Sequence, residues 1–116
     1  MKPINLARKL NQFNSHWHPH VIADYNENDV MVVKFQGDFP FHIHEYTDDF
    51  FLVLAGEMVM DLESESHPVR AGEVFIVPKG VPHRPRAEAE CHVLLIAPKG
   101  VPNTGDPTTA SPKPRI

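Results

Sequence analysis

Between Val21 and Pro98 no apolar run continues for long. Six of them, "VIADY", "VMVVKF", "FFLVLA", "MVMDLE", "EVFIVP" and "HVLLIA", are each interrupted by turn-forming residues such as "NENDV", "GDFP", "AGE", "ESES", "RAGE" and "PKGVP". Runs this short have the length of strands, and regular Gly and Pro punctuation at this interval indicates an all-β sandwich or barrel. The β domain is therefore expected over 21–98. Ahead of it, in the lead-in 1–20, "INLARKLNQF" carries Leu6, Leu10 and Phe13 at helical spacing, so a short amphipathic helix is expected there. After Pro98 the sequence "KGVPNTGDPTTASPKPRI" loses all hydrophobic periodicity, and 99–116 is expected to be an extended or disordered tail.

A length of 116 residues suits one domain with a core able to fold unaided. The formal net charge of −4, with no long run of either sign, argues against nucleic acid and against an anionic membrane surface as partners. No apolar stretch is long enough to span a bilayer, and "MKPINLARKL" lacks the apolar centre of a secretory signal. The single cysteine, Cys91, cannot form an internal disulfide and has no neighbouring motif to activate it. Together these features lead to the expectation of a cytoplasmic protein.

One strand pairing can be worked out in advance. "FFLVLAGEMVMDLE" reads as a hairpin turning at Gly56–Glu57, with Ala55 opposite Met58 and Val53 opposite Met60. Alternation then sends Phe51, Val53, Met58, Met60 and Leu62 inward, and Asp61 and Glu63 into solvent. Phe51, Met58 and Met60 are the candidates for lining an internal cavity. "FFLVLA" is apolar on both faces, so its outer side needs a cover, either a second subunit or the N-terminal helix.

The chemistry concentrates in "FPFHIHEYTDDFFLVLAG". His42 and His44 fall on one face of an extended chain, about 7 Å apart along it. Imidazoles among phenylalanines are costly unless their nitrogens are bound. Asp49 follows five residues later, and His83 ends "GEVFIVPKGVPH" beyond a Pro-Gly turn. Three nitrogens and one carboxylate oxygen leave coordination positions open, the pattern of a metal that meets a ligand rather than one that only holds a fold. His16, His18 and His20 in "HWHPH" read as a surface segment, and His67 and His92 as structural residues. Arg84 and Arg86 are either exposed strand-end residues or groups facing an acidic ligand.

These positions resemble the two motifs of the cupin superfamily, G-x5-H-x-H-x3,4-E-x6-G and G-x5-P-x-G-x2-H-x3-N. Here the first reads Gly37, His42, His44, Asp49 and Gly56, and the second reads Gly72, Pro78, Gly80, His83 and Ala87. Gly37 stands one residue too close to His42, Ala87 replaces the closing asparagine, and Asp49 replaces the usual glutamate. The resemblance implies a small jelly-roll barrel of two antiparallel sheets that commonly forms homodimers. It also implies one divalent ion, Fe, Mn, Ni, Co or Zn, at His42, His44, Asp49 and His83. Being one methylene shorter than glutamate, Asp49 poses the question of reach. Such proteins include dioxygenases and isomerases, so the expectation is a small molecule bound inside the barrel and transformed there. A metal-holding or sensing module without catalysis is the alternative.

Overall fold

The computed structural model describes residues 1–116, and the chain is mostly β. A helix of little more than one turn, α1 (Leu6–Leu10), is capped by Asn5, whose side-chain oxygen accepts from the Arg8 N–H at 2.9 Å. Seven strands follow: β1 (His20–Tyr25), β2 (Asn28–Asp38), β3 (Asp49–Ala55), β4 (Glu57–Asp61), β5 (Ser66–Arg70), β6 (Val74–Val77) and β7 (Arg84–Pro98). All pairings between strands are antiparallel. β1, β2, β7, β3 and β6 lie side by side in that order, while β4 pairs with β5 and with β7. The arrangement is that of a small jelly roll, with the fifteen-residue β7 serving both halves.

β3 and β4 do not form the hairpin expected at Gly56–Glu57. Both run antiparallel to β7 instead, Phe50–Ala55 along its C-terminal half and Val59–Asp61 along Arg84–Arg86. Gly56 is where the chain passes from one half to the other, at φ 81°, and a Cβ there would lie 2.9 Å from the Glu90 carbonyl oxygen. The glycine thus makes a close crossing over β7 rather than a tight turn. Phe51, Val53, Met58 and Met60 nevertheless point inward as expected, because alternation along a strand does not depend on which strand it pairs with.

Phe51, Val53, Met58, Met60, Val69, Val77, Cys91 and Val93 form the interior with Val33 and Phe35. Asp61 departs from its expected solvent position. It is only 5% exposed and accepts hydrogen bonds from Ser66, Arg84 and Arg86, so the two arginines hold a carboxylate of the fold rather than facing a ligand. Burial raises the pKa of Cys91 to about 11, in keeping with a packed thiol.

On the outer side of the sheet Leu10, Phe13, Ile22 and Val32 form a second cluster, and Leu54 of β3 packs against it. The N-terminal segment therefore covers part of the outer face of "FFLVLA". Lys34, buried within β2, ties this segment down by donating to the Phe13 carbonyl at 2.6 Å, beneath the Phe13 ring. The tail 99–116 is irregular but docked. Val21 N–H donates to Pro114, Ile116 N–H donates to Val21, and the Ile116 side chain packs on the outer cluster. Four prolines within 99–116 lower the entropy such a segment loses on docking.

Candidate metal centre

Two loops meet at one end of the sheet. "HIH" is not part of a long strand, being fixed by an isolated bridge in which His42 and His83 exchange backbone hydrogen bonds of 3.0 and 3.1 Å. Gly80 N–H donates to the His44 carbonyl at 2.8 Å, and Lys79 N–H donates to the Asp48 carboxylate at 2.9 Å. Asp48 is thus the carboxylate that joins the loops, which leaves Asp49, at the first position of β3, to point inward. Alternation through "FHIH" leaves Phe41 and Ile43 exposed and turns the His42 and His44 rings to the other side.

The structure brings His42, His44, Asp49 and His83 together, with one donor atom from each lying within 4.8 Å of all the others. Asp49 Oδ2 is 2.8 Å from His83 Nε2 and 3.4 Å from His44 Nε2, so the shorter acid does reach the cluster. Donors bound to one divalent ion at about 2.1 Å stand roughly 3 to 4 Å from each other, close to this spread. Two histidines are also oriented from behind: Nδ1 of His42 lies 2.9 Å from the Pro40 carbonyl and Nδ1 of His83 lies 2.9 Å from the Val81 carbonyl. A carbonyl only accepts, so the proton sits on Nδ1 and the Nε2 lone pair faces the cluster. His83 Nε2 and the carboxylate oxygen, 2.8 Å apart, are then two donor atoms that one cation would hold together. The donor set fits a divalent transition metal.

The electrostatics agree. Burial lowers the His42 pKa to about 4, helped by the neighbouring His83 and His44, so its ring is a neutral donor at pH 7. Burial acts to raise the Asp49 carboxyl, but its close contacts with the His44 and His83 rings outweigh it and hold the pKa at about 2. Asp49 is therefore an anion across the physiological range.

A cavity opens in front of the cluster. His42, His44 and Asp49 form its floor, and Trp17, Phe35, Phe39 and Phe51 are among its apolar walls. Met58 and Met60 are instead fully buried core residues, so of the three lining candidates only Phe51 borders this cavity. The far wall comes from the tail through Val101, Pro102, Asn103 and Lys113. Sequence reasoning missed these residues, since a Pro- and Thr-rich segment carries no periodicity to show which way its side chains point. His16 and His92 share Glu90 at 2.9 Å each, away from the cluster.

Residues 29–97 match the family model of the cupin domain. The chain belongs to the cupin family. The matched span contains all four clustered residues and both motifs. This cupin is 38% identical to a cupin-2 domain protein from Shewanella frigidimarina, with a TM-score of 0.82 over 83% of this chain and 94% of the other. It is 33% identical to the uncharacterised protein YdbB of Bacillus subtilis, over 57% of this chain and 59% of YdbB. It is also 32% identical to the 3-hydroxyanthranilate 3,4-dioxygenase of Xanthomonas euvesicatoria, over 90% of this chain and 63% of the dioxygenase. The cupin spans between two-fifths and two-thirds of the length of these and the other first curated relatives it matches.

Proposed function

We propose that this cupin holds one divalent transition-metal ion at His42, His44, Asp49 and His83 and binds a small, largely apolar molecule in the adjoining cavity, where it is transformed. The observation that carries the reading is the convergence of three imidazoles, two of them oriented by backbone carbonyls, and one ionised carboxylate beside a pocket with aromatic walls. When bound, such an ion supplies Lewis acidity and, if it is iron, redox capacity. His83, only 1% exposed, anchors the site from behind, whereas His42, His44 and Asp49 face the cavity. The aromatic walls exclude water and orient a flat ligand.

Ring-opening dioxygenation of a small aromatic compound is the reaction to test first, because a dioxygenase is 32% identical over 90% of this chain. The test is metal analysis of purified protein, followed by oxygen uptake with catechols and aminophenols after loading with Fe(II), Mn(II), Ni(II), Co(II) or Zn(II). Stoichiometric metal with turnover under one ion supports the proposal, and no metal binding in any form overturns it. One observation favours the alternative of a storage or sensing module. Apart from His42, His44 and Asp49, the only ionisable group in the cavity lining is Lys113, so no separate general base stands ready.

We further propose that this cupin pairs with a second copy through the outer sheet face. Val74 and Ile76, 50% and 52% exposed on the edge strand β6, pair with Leu52 and Phe50 to give a continuous apolar strip that the N-terminal helix leaves open.

A further inference from the structure

The tail carries three cations, and two are accounted for at the surface. Lys99 pairs with Asp24 and Asp29, and Arg115 pairs with Asp24. Lys113 is half-buried instead and lines the cavity that His42, His44 and Asp49 also border. Its ammonium donates to the Val101 carbonyl and forms no ion pair with any carboxylate of the chain. One acceptor leaves two of its three N–H bonds without a partner in the chain.

Its position is built rather than incidental. Asn103 clamps the tail on itself, its Oδ1 accepting from Ser111 N–H at 3.0 Å and its Nδ2 donating to Ser111 Oγ at 3.1 Å. Gly105 lies so close to the Ile43 carbonyl that a Cβ would overlap it, which seats this loop against the "HIH" segment. The same loop geometry carries Lys113 to the cavity. Burial lowers its pKa, and the charges of Asp29 and Asp49 act the opposite way. A half-buried ammonium that pairs with no carboxylate is stabilised further by an anion placed beside it.

We propose that Lys113 is a specificity-determining residue that binds the anionic group of the ligand, so that the molecule taken by this cupin is a small apolar or aromatic carboxylate. Three neutral imidazoles, one carboxylate and a divalent ion sum to a single positive charge, and Lys113 adds a second, so the loaded cavity attracts an anion. The apolar walls hold the body of the ligand while the tail reads its charge.

The inference rests on the reading of the cavity as a ligand site, and the two can fail separately. Benzoate and its neutral counterpart benzamide are titrated calorimetrically into wild type, Lys113→Met and Lys113→Arg, each metal-free and loaded with Co(II). The expected result is that metal-free wild type prefers benzoate at least tenfold, that Lys113→Met loses this preference while binding benzamide as before, and that Lys113→Arg keeps it. Co(II) affinity, followed by its visible spectrum, stays unchanged in all three and tests the metal centre independently. The inference is overturned if wild type binds neither probe or shows no preference for benzoate. It is equally overturned if metal-free Lys113→Met retains the preference.

Discussion

Asp49 Oδ2 lies 2.8 Å from His83 Nε2, joining a residue at the floor of the cavity to one thirty-four positions away that is buried behind it. His83 Nδ1 meets the Val81 carbonyl at 2.9 Å, so both ring nitrogens of this histidine face acceptors. The aspartate oxygen thus reaches the histidine cluster at the position where the family motif has a glutamate.

Replacing Asp49 by Asn removes the charge but keeps the shape. Affinity for Co(II), measured by competition with a chromophoric chelator, is expected to fall at least about tenfold. Asp49→Glu is expected to give no gain over wild type, because the aspartate oxygen already reaches both His44 and His83. A tighter site in Asp49→Glu would show that the shorter acid is a deficit.

Gly56 and Gly72 share positive φ values, 81° and 85°, but differ in surroundings. A methyl at Gly56 meets the Glu90 carbonyl at 2.9 Å, whereas at Gly72 nothing lies within 4 Å. Gly72→Ala is expected to lose only the left-handed backbone cost of about 1–2 kcal/mol. Gly56→Ala is expected to lose more, about 3 kcal/mol or above, since the backbone of β7 must also shift. Urea unfolding of both variants compares the two, and equal losses would contradict the close crossing over β7.

Asp61 gives the fold an acid-sensitive joint. The hydrogen bond from Arg86 is the largest influence on it. Burial opposes that influence, Ser66 and Arg84 reinforce it, and the folded pKa falls from 3.8 to about 2. A folded pKa below the unfolded one means that the stabilisation is present above about pH 4 and is lost as pH falls toward 2. Asp61→Asn is therefore expected to be less stable than wild type at pH 6 and to show a shallower decline between pH 4 and 2 in urea midpoints. Parallel declines would remove Asp61 as the source.

Charges placed on the edge strand test the proposed dimer face. Val74→Glu together with Ile76→Glu is expected to convert a dimer to a monomer by light scattering without lowering Co(II) affinity, because neither residue lines the cavity. An unchanged mass would show that this strip does not mediate self-association.

The docked tail predicts slow hydrogen exchange at the Val21 and Ile116 amides, which pair with Pro114 and Val21 carbonyls. Exchange at random-coil rates would mean that the cavity lacks its far wall in solution.

Much of this protein was legible in the amino-acid order. Interrupted apolar runs specify strands, and alternation specifies which side chains point inward. Phe51, Val53, Met58 and Met60 kept their expected faces even though the hairpin between β3 and β4 did not form. The cluster of His42, His44, Asp49 and His83 was likewise visible as spaced motifs, since residue types able to bind a metal are uncommon among aromatics and their intervals are local. What the order of residues could not specify was which strand pairs with which. Strand pairing depends on the whole sheet, and Gly56 allows a turn as readily as a crossing. Nor could it show that Asp61 would be enclosed by Arg84 and Arg86, contacts across β4 and β7 that arise only once that pairing exists. The tail is the sharpest case. Its composition gives no periodic signal, yet backbone bonds to β1, the Asn103–Ser111 clamp and the close approach of Gly105 to Ile43 fix it over the metal cavity. Local sequence determines strands and donors. Only the assembled surface of the sheet decides where an aperiodic segment finds the partners that repay its ordering, and so where Lys113 is placed.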